Sequence, residues 1–142
     1  MRMRDGLLLL GADATVTYAG PITRPGVDDS PEALSAIGLG DRWAFVNYDG
    51  SYHGRSVEDV RRYAADADLF LNLSGGSWFW RDEYARIPHK VFIDSDPAFT
   101  QLAIAKGVAW YVEFFRRFDR LFTFGANIGT PASPIPTGSF TW

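Results

Sequence analysis

Three short apolar segments, each followed by a turn of small or acidic residues, most constrain what this chain can fold into. They are Leu69–Leu73, Val91–Ile93 and Leu121–Phe124, and segments with helical patterning separate them. Short apolar runs with no polar alternation predict buried strands, and helical connections between strands favour parallel pairing. The sequence therefore predicts an α/β fold: a Rossmann-like parallel sheet with helices on both faces.

The chain has the length of a single domain, and its start suggests an interrupted repeat. Its 142 residues fit one domain, so we expect residues 1–142 to form a single Rossmann-like unit. Residues 6–11 predict the end of a helix closed by Gly11, and Ala14–Tyr18 predicts the strand after it. A helix leading into a strand is the second half of a βαβ unit, so we expect the sheet to lack its first strand.

Local signals place several further elements. Ser56 and Asp59 have the spacing of a capping box and predict the start of a helix over residues 57–65. A strand is expected over Trp43–Tyr48. The long helical stretch after Pro97 is expected in two pieces, because Gly107 interrupts it.

Composition excludes several classes of function. The net charge of −3, without a basic cluster, argues against nucleic acid as a partner. No apolar stretch has the length of a transmembrane segment. The absence of cysteine excludes disulfides and thiolate zinc sites, and it fits the reducing cytoplasm. With only two histidines we expect no metal site, and no motif indicates a cofactor.

The last 22 residues, 121–142, contain no charged side chain. Such a stretch in a water-soluble domain needs a cover. It either folds back on its own sheet or continues toward a C-terminal domain that is missing from this chain. We favour the second interpretation.

The turns that follow the three apolar strands are the expected binding positions. Ligands of open α/β sheets bind beyond the carboxyl ends of the strands. Glycines in these turns let the backbone approach a ligand closely. The Asn127 side-chain amide can hydrogen-bond hydroxyl groups, and the Trp78 indole can stack on a sugar ring. The candidate substrate-binding residues are Ser74, Gly75, Gly76, Trp78, Gly125 and Asn127.

Two carboxylates, Asp94 and Asp96, directly follow the second apolar strand. One can act as a general base while the other orients it, so both are candidate catalytic residues. We place Asp94 first, as base or base-orienter. Two alternatives remain: the pair grips a divalent cation, as in metal-dependent Asp-x-Asp transferases, or Asp96 only caps the next helix.

Four segments of the chain, in order and approximate spacing, resemble a known family. They are Ala67–Gly75, Ile87–Gln101, Phe122–Gly129 and Ile135–Pro136 with Trp142, and the run Asp-x-Asp-Pro-x-Phe-x-Gln is the most specific part. Together they resemble the N-terminal half of a bacterial group of glycosyltransferases of GT-B type.

That resemblance implies two Rossmann-like domains that face a cleft, with the acceptor on the N-terminal domain and a nucleotide-sugar donor on the C-terminal one. It implies no obligatory metal. This chain lacks the family's C-terminal domain, so we expect it to be inactive alone. The competing hypothesis is a non-enzymatic Rossmann-like binding or interaction module.

Overall fold

The computed structural model describes residues 8–11, 32, 35–36, 39–46, 50–75, 77–78 and 80–142. They belong to two compact units. The first unit runs to Ala65 and includes residues 76–79, and the second comprises Asp66–Gly75 and Trp80–Trp142. The described residues thus form a mixed α/β arrangement with one sheet in each unit, where the sequence led us to expect a single sheet.

The first unit holds a mixed three-stranded sheet of β1 (Leu8–Gly11), β2 (Trp43–Val46) and β3 (Tyr52–Gly54). Strand β1 pairs with β2 in parallel, and β2 pairs with β3 antiparallel. The prediction of a helix end at residues 6–11 was wrong, because a short leucine run suits a strand as well as a helix. The predicted absence of a first strand rested on that helix, so the observed strand β1 removes the reason for it. The predicted strand Ala14–Tyr18 lies outside the described residues.

The β2–β3 hairpin adds a strand, β3, to the predicted strand that begins at Trp43. His53 lies in β3, half-buried, with its ring 6.2 Å from that of Phe45. Gly54 has φ +79°, and a Cβ there would lie 2.6 Å from the Trp43 carbonyl oxygen. Only glycine fits this close approach, so Gly54 defines the end of the hairpin.

Helix α1 (Val57–Ala65) matches the prediction, and one half of the predicted capping box forms at its start. The Asp59 backbone N–H donates to the Ser56 hydroxyl oxygen at 3.1 Å, and that hydroxyl donates to the Asp59 carboxylate at 3.0 Å. The hydroxyl hydrogen bond, with the nearby Arg62 charge, lowers the pKa of Asp59. A local side-chain pair thus closes the first turn of α1.

The second unit contains a three-stranded parallel sheet in the order β4-β5-β6. It corresponds to the three apolar segments of the sequence, and the helix after Pro97 is broken near Gly107 as predicted. Its elements are β4 (Leu69–Leu73), α2 (Asp82–Ala85), β5 (His89–Asp94), α3 (Phe99–Ala105), α4 (Ala109–Phe115) and β6 (Arg120–Thr123).

The two faces of this parallel sheet differ in what covers them. Phe92 is 1% exposed, and its ring contacts those of Phe114, Phe115 and Phe118 on the helical side. On the opposite side, apolar side chains are about half exposed: Leu71 45%, Leu73 55% and Phe122 53%. The expectation of helices on both faces is therefore not met in the second unit. Strands in sequential order with right-handed crossovers place all their helices on one face.

The uncharged C-terminal segment packs on the helices of the second unit. A Cβ at Gly138 would lie 2.7 Å from the Ile104 side chain, and the rings of Phe140 and Trp142 lie 6.3 and 5.6 Å from that of Phe115. These contacts cover part of the apolar tail within its own unit. Continuation toward a further domain stays a prediction.

The described helices are short, and the longest, α1, has nine residues. Within the described residues, none combines the length and apolar character that a membrane crossing needs.

Candidate functional site

Parallel pairing brings the turns after β4, β5 and β6 to one edge of the sheet in the second unit. The Ser74 N–H donates to the Ile93 carbonyl oxygen at 2.8 Å, and the Phe124 N–H donates to the Asp94 carbonyl oxygen at 3.0 Å. Each turn is therefore hydrogen-bonded to the end of β5. The expectation that these turns converge is confirmed by the strand register.

The turn after β4 has an unusual backbone. Ser74 and Gly75 both have positive φ angles, 56° and 75°. The Ser74 hydroxyl donates to the Ser95 hydroxyl oxygen, which joins this turn to the acidic one. Ser74 is exposed, whereas Gly75 is buried. The predicted residue Gly76 lies outside the described residues.

Asp94 is the last residue of β5, and its side chain lies inside the protein with 2% exposure. Its Oδ1 accepts hydrogen bonds from the Asp96 backbone N–H at 3.2 Å and the Thr100 hydroxyl at 3.1 Å. Its Oδ2 accepts from the Gln101 Nε2 at 2.9 Å and the Thr123 hydroxyl at 3.2 Å. A carboxylate offers about four acceptor positions, and neutral donors occupy all of them here.

The four hydrogen bonds to Asp94 argue against coordination of a divalent cation by Asp94 and Asp96. The Asp94 oxygens already accept four hydrogen bonds, so binding a divalent ion would displace donors that are themselves buried. No group of three or more potential metal ligands occurs among the described residues. The Asp94 oxygens are therefore engaged by protein donors and are poorly placed to bind a metal ion.

Gln101 links Asp94 to a strained backbone position. Its Nε2 donates to Asp94, while its Oε1 accepts from the Ala98 N–H at 2.7 Å, so both ends of the amide have defined partners. Ala98 has φ +81° and ψ −41°, a conformation that costs a non-glycine residue free energy. Gln101 is 0% exposed, and it holds the turn before α3 in this conformation.

Asp96 differs from Asp94 in exposure. Its side chain reaches solvent, while its backbone N–H donates to Asp94. The exposed carboxylate therefore lies on a turn whose backbone is anchored from inside. Of the two predicted catalytic residues, Asp96 is the one that a ligand at this edge can touch directly.

The turn after β6 combines a packing glycine with an exposed amide. The Gly125 N–H donates to the Thr123 hydroxyl oxygen at 3.2 Å, and a Cβ at Gly125 would lie 2.9 Å from Pro97 and 2.6 Å from Ile128. Gly125 therefore lets two turns pack closely. Asn127 is exposed at the same edge, where its amide is accessible to a ligand.

The aromatic residues that follow the glycine turn take different positions. Trp80 packs among Phe70, Tyr84 and Phe118, with the Arg117 guanidinium 4.9 Å from its ring centroid. Trp80 thus belongs to an aromatic cluster of the second unit. Trp78, predicted to bind substrate, is half-buried and belongs to the first unit.

Three residues of the site were not predicted from the sequence: Thr100, Gln101 and Thr123. Gln101 lies in the most specific run of the family resemblance, and it follows Asp94 by seven residues. Thr123 aligns with Asp94 in the β5–β6 register, which only the pairing of strands reveals. The sequence showed only that these polar residues lie near the ends of apolar strands. It did not indicate that their side chains hydrogen-bond to Asp94.

The fold and this edge define the class of protein: a mixed α/β chain with a three-stranded parallel sheet flanked by helices, whose strand ends surround a buried carboxylate. No family model matches the chain, and neither does any curated protein or solved structure.

Proposed function

We propose that this chain is the acceptor-binding, N-terminal part of a glycosyltransferase of GT-B type, which transfers a sugar from a nucleotide-sugar donor to an acceptor hydroxyl. The observation that carries the proposal is the convergence of three strand-end turns around Asp94, with the Asp96 carboxylate exposed beside them. Open α/β sheets bind their ligands at this position.

The chemistry of glycosyl transfer suits an exposed carboxylate. The acceptor oxygen forms a bond to the anomeric carbon of the sugar as the bond from that carbon to the phosphate oxygen breaks. The nucleoside diphosphate leaves with the electron pair, and the acceptor proton moves to the Asp96 carboxylate as general base. Asp96 is exposed at this edge of the sheet, so an acceptor hydroxyl can reach its carboxylate.

The neighbouring turns have the groups that hold an acceptor. The Ser74 hydroxyl and the Asn127 amide are exposed at the same edge and are able to hydrogen-bond sugar or other hydroxyl groups. The donor belongs to a second Rossmann-like domain, which the family resemblance implies and which closes the cleft. The chain alone is then expected to release no nucleoside diphosphate.

The test measures binding and turnover by the full-length protein. We expect calorimetry to detect binding of at least one of UDP-glucose, UDP-N-acetylglucosamine, GDP-mannose and dTDP-glucose, and a coupled assay to detect slow release of the nucleoside diphosphate. Asp96→Asn is expected to lower kcat about 10²- to 10⁴-fold, with donor affinity unchanged. Asp82→Asn, at an exposed position in α2, is the matched control.

Two results would reject this function: failure of the full-length protein to bind or turn over any of these donors, or wild-type kcat in Asp96→Asn. The half-exposed apolar face with Leu71, Leu73 and Phe122 favours the second candidate, a non-enzymatic interaction module. An interaction module would release no nucleoside diphosphate. Substitutions on this apolar face would then change the protein's stability only in the presence of its partner protein.

A further inference from the structure

We infer that Asp94 is a positioning residue: together with Thr100, Gln101 and Thr123, it fixes the turn that presents Asp96 to the acceptor. This inference rests on the proposed function and divides the roles of the two aspartates. It assigns proton transfer to the exposed carboxylate and orientation to the buried one.

Asp94 has no capacity left for direct chemistry. Its two oxygens accept four hydrogen bonds, and the side chain is 2% exposed. To take a proton from an acceptor, it would need a free lone pair that faces the ligand. The geometry provides neither the lone pair nor the access.

The same four hydrogen bonds connect the segments that build the edge. The donors are the Asp96 backbone in the turn after β5, Thr100 and Gln101 in the first turn of α3, and Thr123 at the end of β6. Hydrogen bonds to an ionised acceptor in a buried, low-dielectric position are stronger than neutral ones. Among the described residues no lysine, arginine or histidine forms a salt bridge with Asp94, so its contacts in this turn are the four hydrogen bonds.

The position of Asp96 depends directly on this cluster. Its backbone N–H donates to Asp94 Oδ1, and Ser95 before it accepts the Ser74 hydroxyl hydrogen bond. Loss of one donor to Asp94 therefore shifts the carboxylate of Asp96 without removing it. A displacement on the order of 1 Å at a reacting group lowers the rate roughly a hundredfold.

Thr123 is the residue to change, because its hydroxyl serves Asp94 and the Gly125 N–H but lies outside the predicted ligand contacts. In the full-length protein, Thr123→Val is expected to lower kcat for nucleoside diphosphate release from UDP-glucose, or from whichever of the four donors binds, by roughly ten- to a hundredfold. The KM for the donor should stay within about twofold of wild type, since uniform binding is unaffected.

Two further variants separate positioning from general loss of structure. Thr123→Ser keeps the hydroxyl and is expected to restore most of kcat, whereas Thr141→Val, at an exposed threonine, should leave kcat and KM at wild-type values. Backbone amide exchange of Asp96 should be faster in Thr123→Val than in Thr123→Ser. If Thr123→Val does not fold, Thr100→Val removes one donor from the other carboxylate oxygen and takes its place.

The outcomes distinguish this inference from the proposed function. Wild-type kcat in Thr123→Val, with a large loss in Asp96→Asn, would overturn the positioning role and leave the transferase function standing. Equal losses in Thr123→Val and Thr123→Ser would also overturn it, because the hydroxyl would then not be the cause. A wild-type protein that neither binds nor turns over a nucleotide sugar would overturn both.

Discussion

Helices α1 and α3 are each capped by a side chain that lies three residues after the capping position and hydrogen-bonds back to it. The two caps differ in which other parts of the chain they involve. In α1, Ser56 and Asp59 are sequence neighbours that cap each other near the surface. In α3, the amide of Gln101 accepts the Ala98 N–H and also donates to Asp94 of strand β5, inside the protein. The first cap is local, and the second couples a helix to a sheet edge.

The difference lies in what each arrangement stabilises. An exposed cap competes with water and contributes roughly 0.5–2 kcal/mol to helix formation. A buried network leaves its remaining partners unsatisfied when one member is removed, so each loss costs more. We therefore expect substitutions at the start of α3 to affect stability more than those at the start of α1.

The largest expected effect is that of Gln101→Leu. Leucine has similar volume but leaves the Ala98 N–H and one Asp94 acceptor position without their partner. The free energy of unfolding should fall by about 2–3 kcal/mol, measured by urea denaturation. Glu113→Leu, at an exposed position of α4, is the matched control and should change it by no more than about 0.5 kcal/mol. A loss no larger than the control's would mean that the buried hydrogen bonds of Gln101 do not stabilise the fold.

A smaller effect of opposite sign is expected for Ala98→Gly. Ala98 has φ +81°, where a Cβ is strained and glycine is not. The substitution should stabilise the protein by about 1 kcal/mol, less the entropy that glycine loses on folding. Ala103→Gly, in the interior of the same helix, should instead destabilise by about 1 kcal/mol. The same sign for both variants would show that the turn at Ala98 stores no strain.

The local features of this molecule were predictable from its sequence. The bounds of α1 follow from a capping box and a periodic apolar face, and the break between α3 and α4 follows from Gly107, whose φ is +73°. The convergence of the strand-end turns followed from parallel pairing, because all carboxyl ends of such strands share one edge. These predictions depend on neighbours in sequence or on a general rule of topology.

The features that failed depend on pairing that no local pattern encodes. Leu8–Gly11 has a composition that fits a helix, and its parallel pairing with β2 makes it a strand. The sequence placed Asp94 and Asp96 at a strand end and predicted a site there, but it did not identify the groups that surround Asp94. That burial requires Thr123 and Gln101, which reach Asp94 only through the β5–β6 register and the path of α3.

The smallest expected effect concerns pH and the local cap of α1. The Ser56 hydroxyl and the Arg62 charge lower the pKa of Asp59, so this carboxylate stabilises the folded state while it is ionised. The contribution is fully present above the unfolded pKa of about 3.9 and is lost as the pH falls through the lower folded pKa. The difference in urea midpoint between wild type and Asp59→Asn should therefore be small at pH 7 and shrink below about pH 4. Glu58→Gln, on the same exposed turn, controls for net charge. A difference that grows on acidification would mean that the ionised Asp59 does not stabilise α1, and the contrast between the two helix starts would then need another explanation.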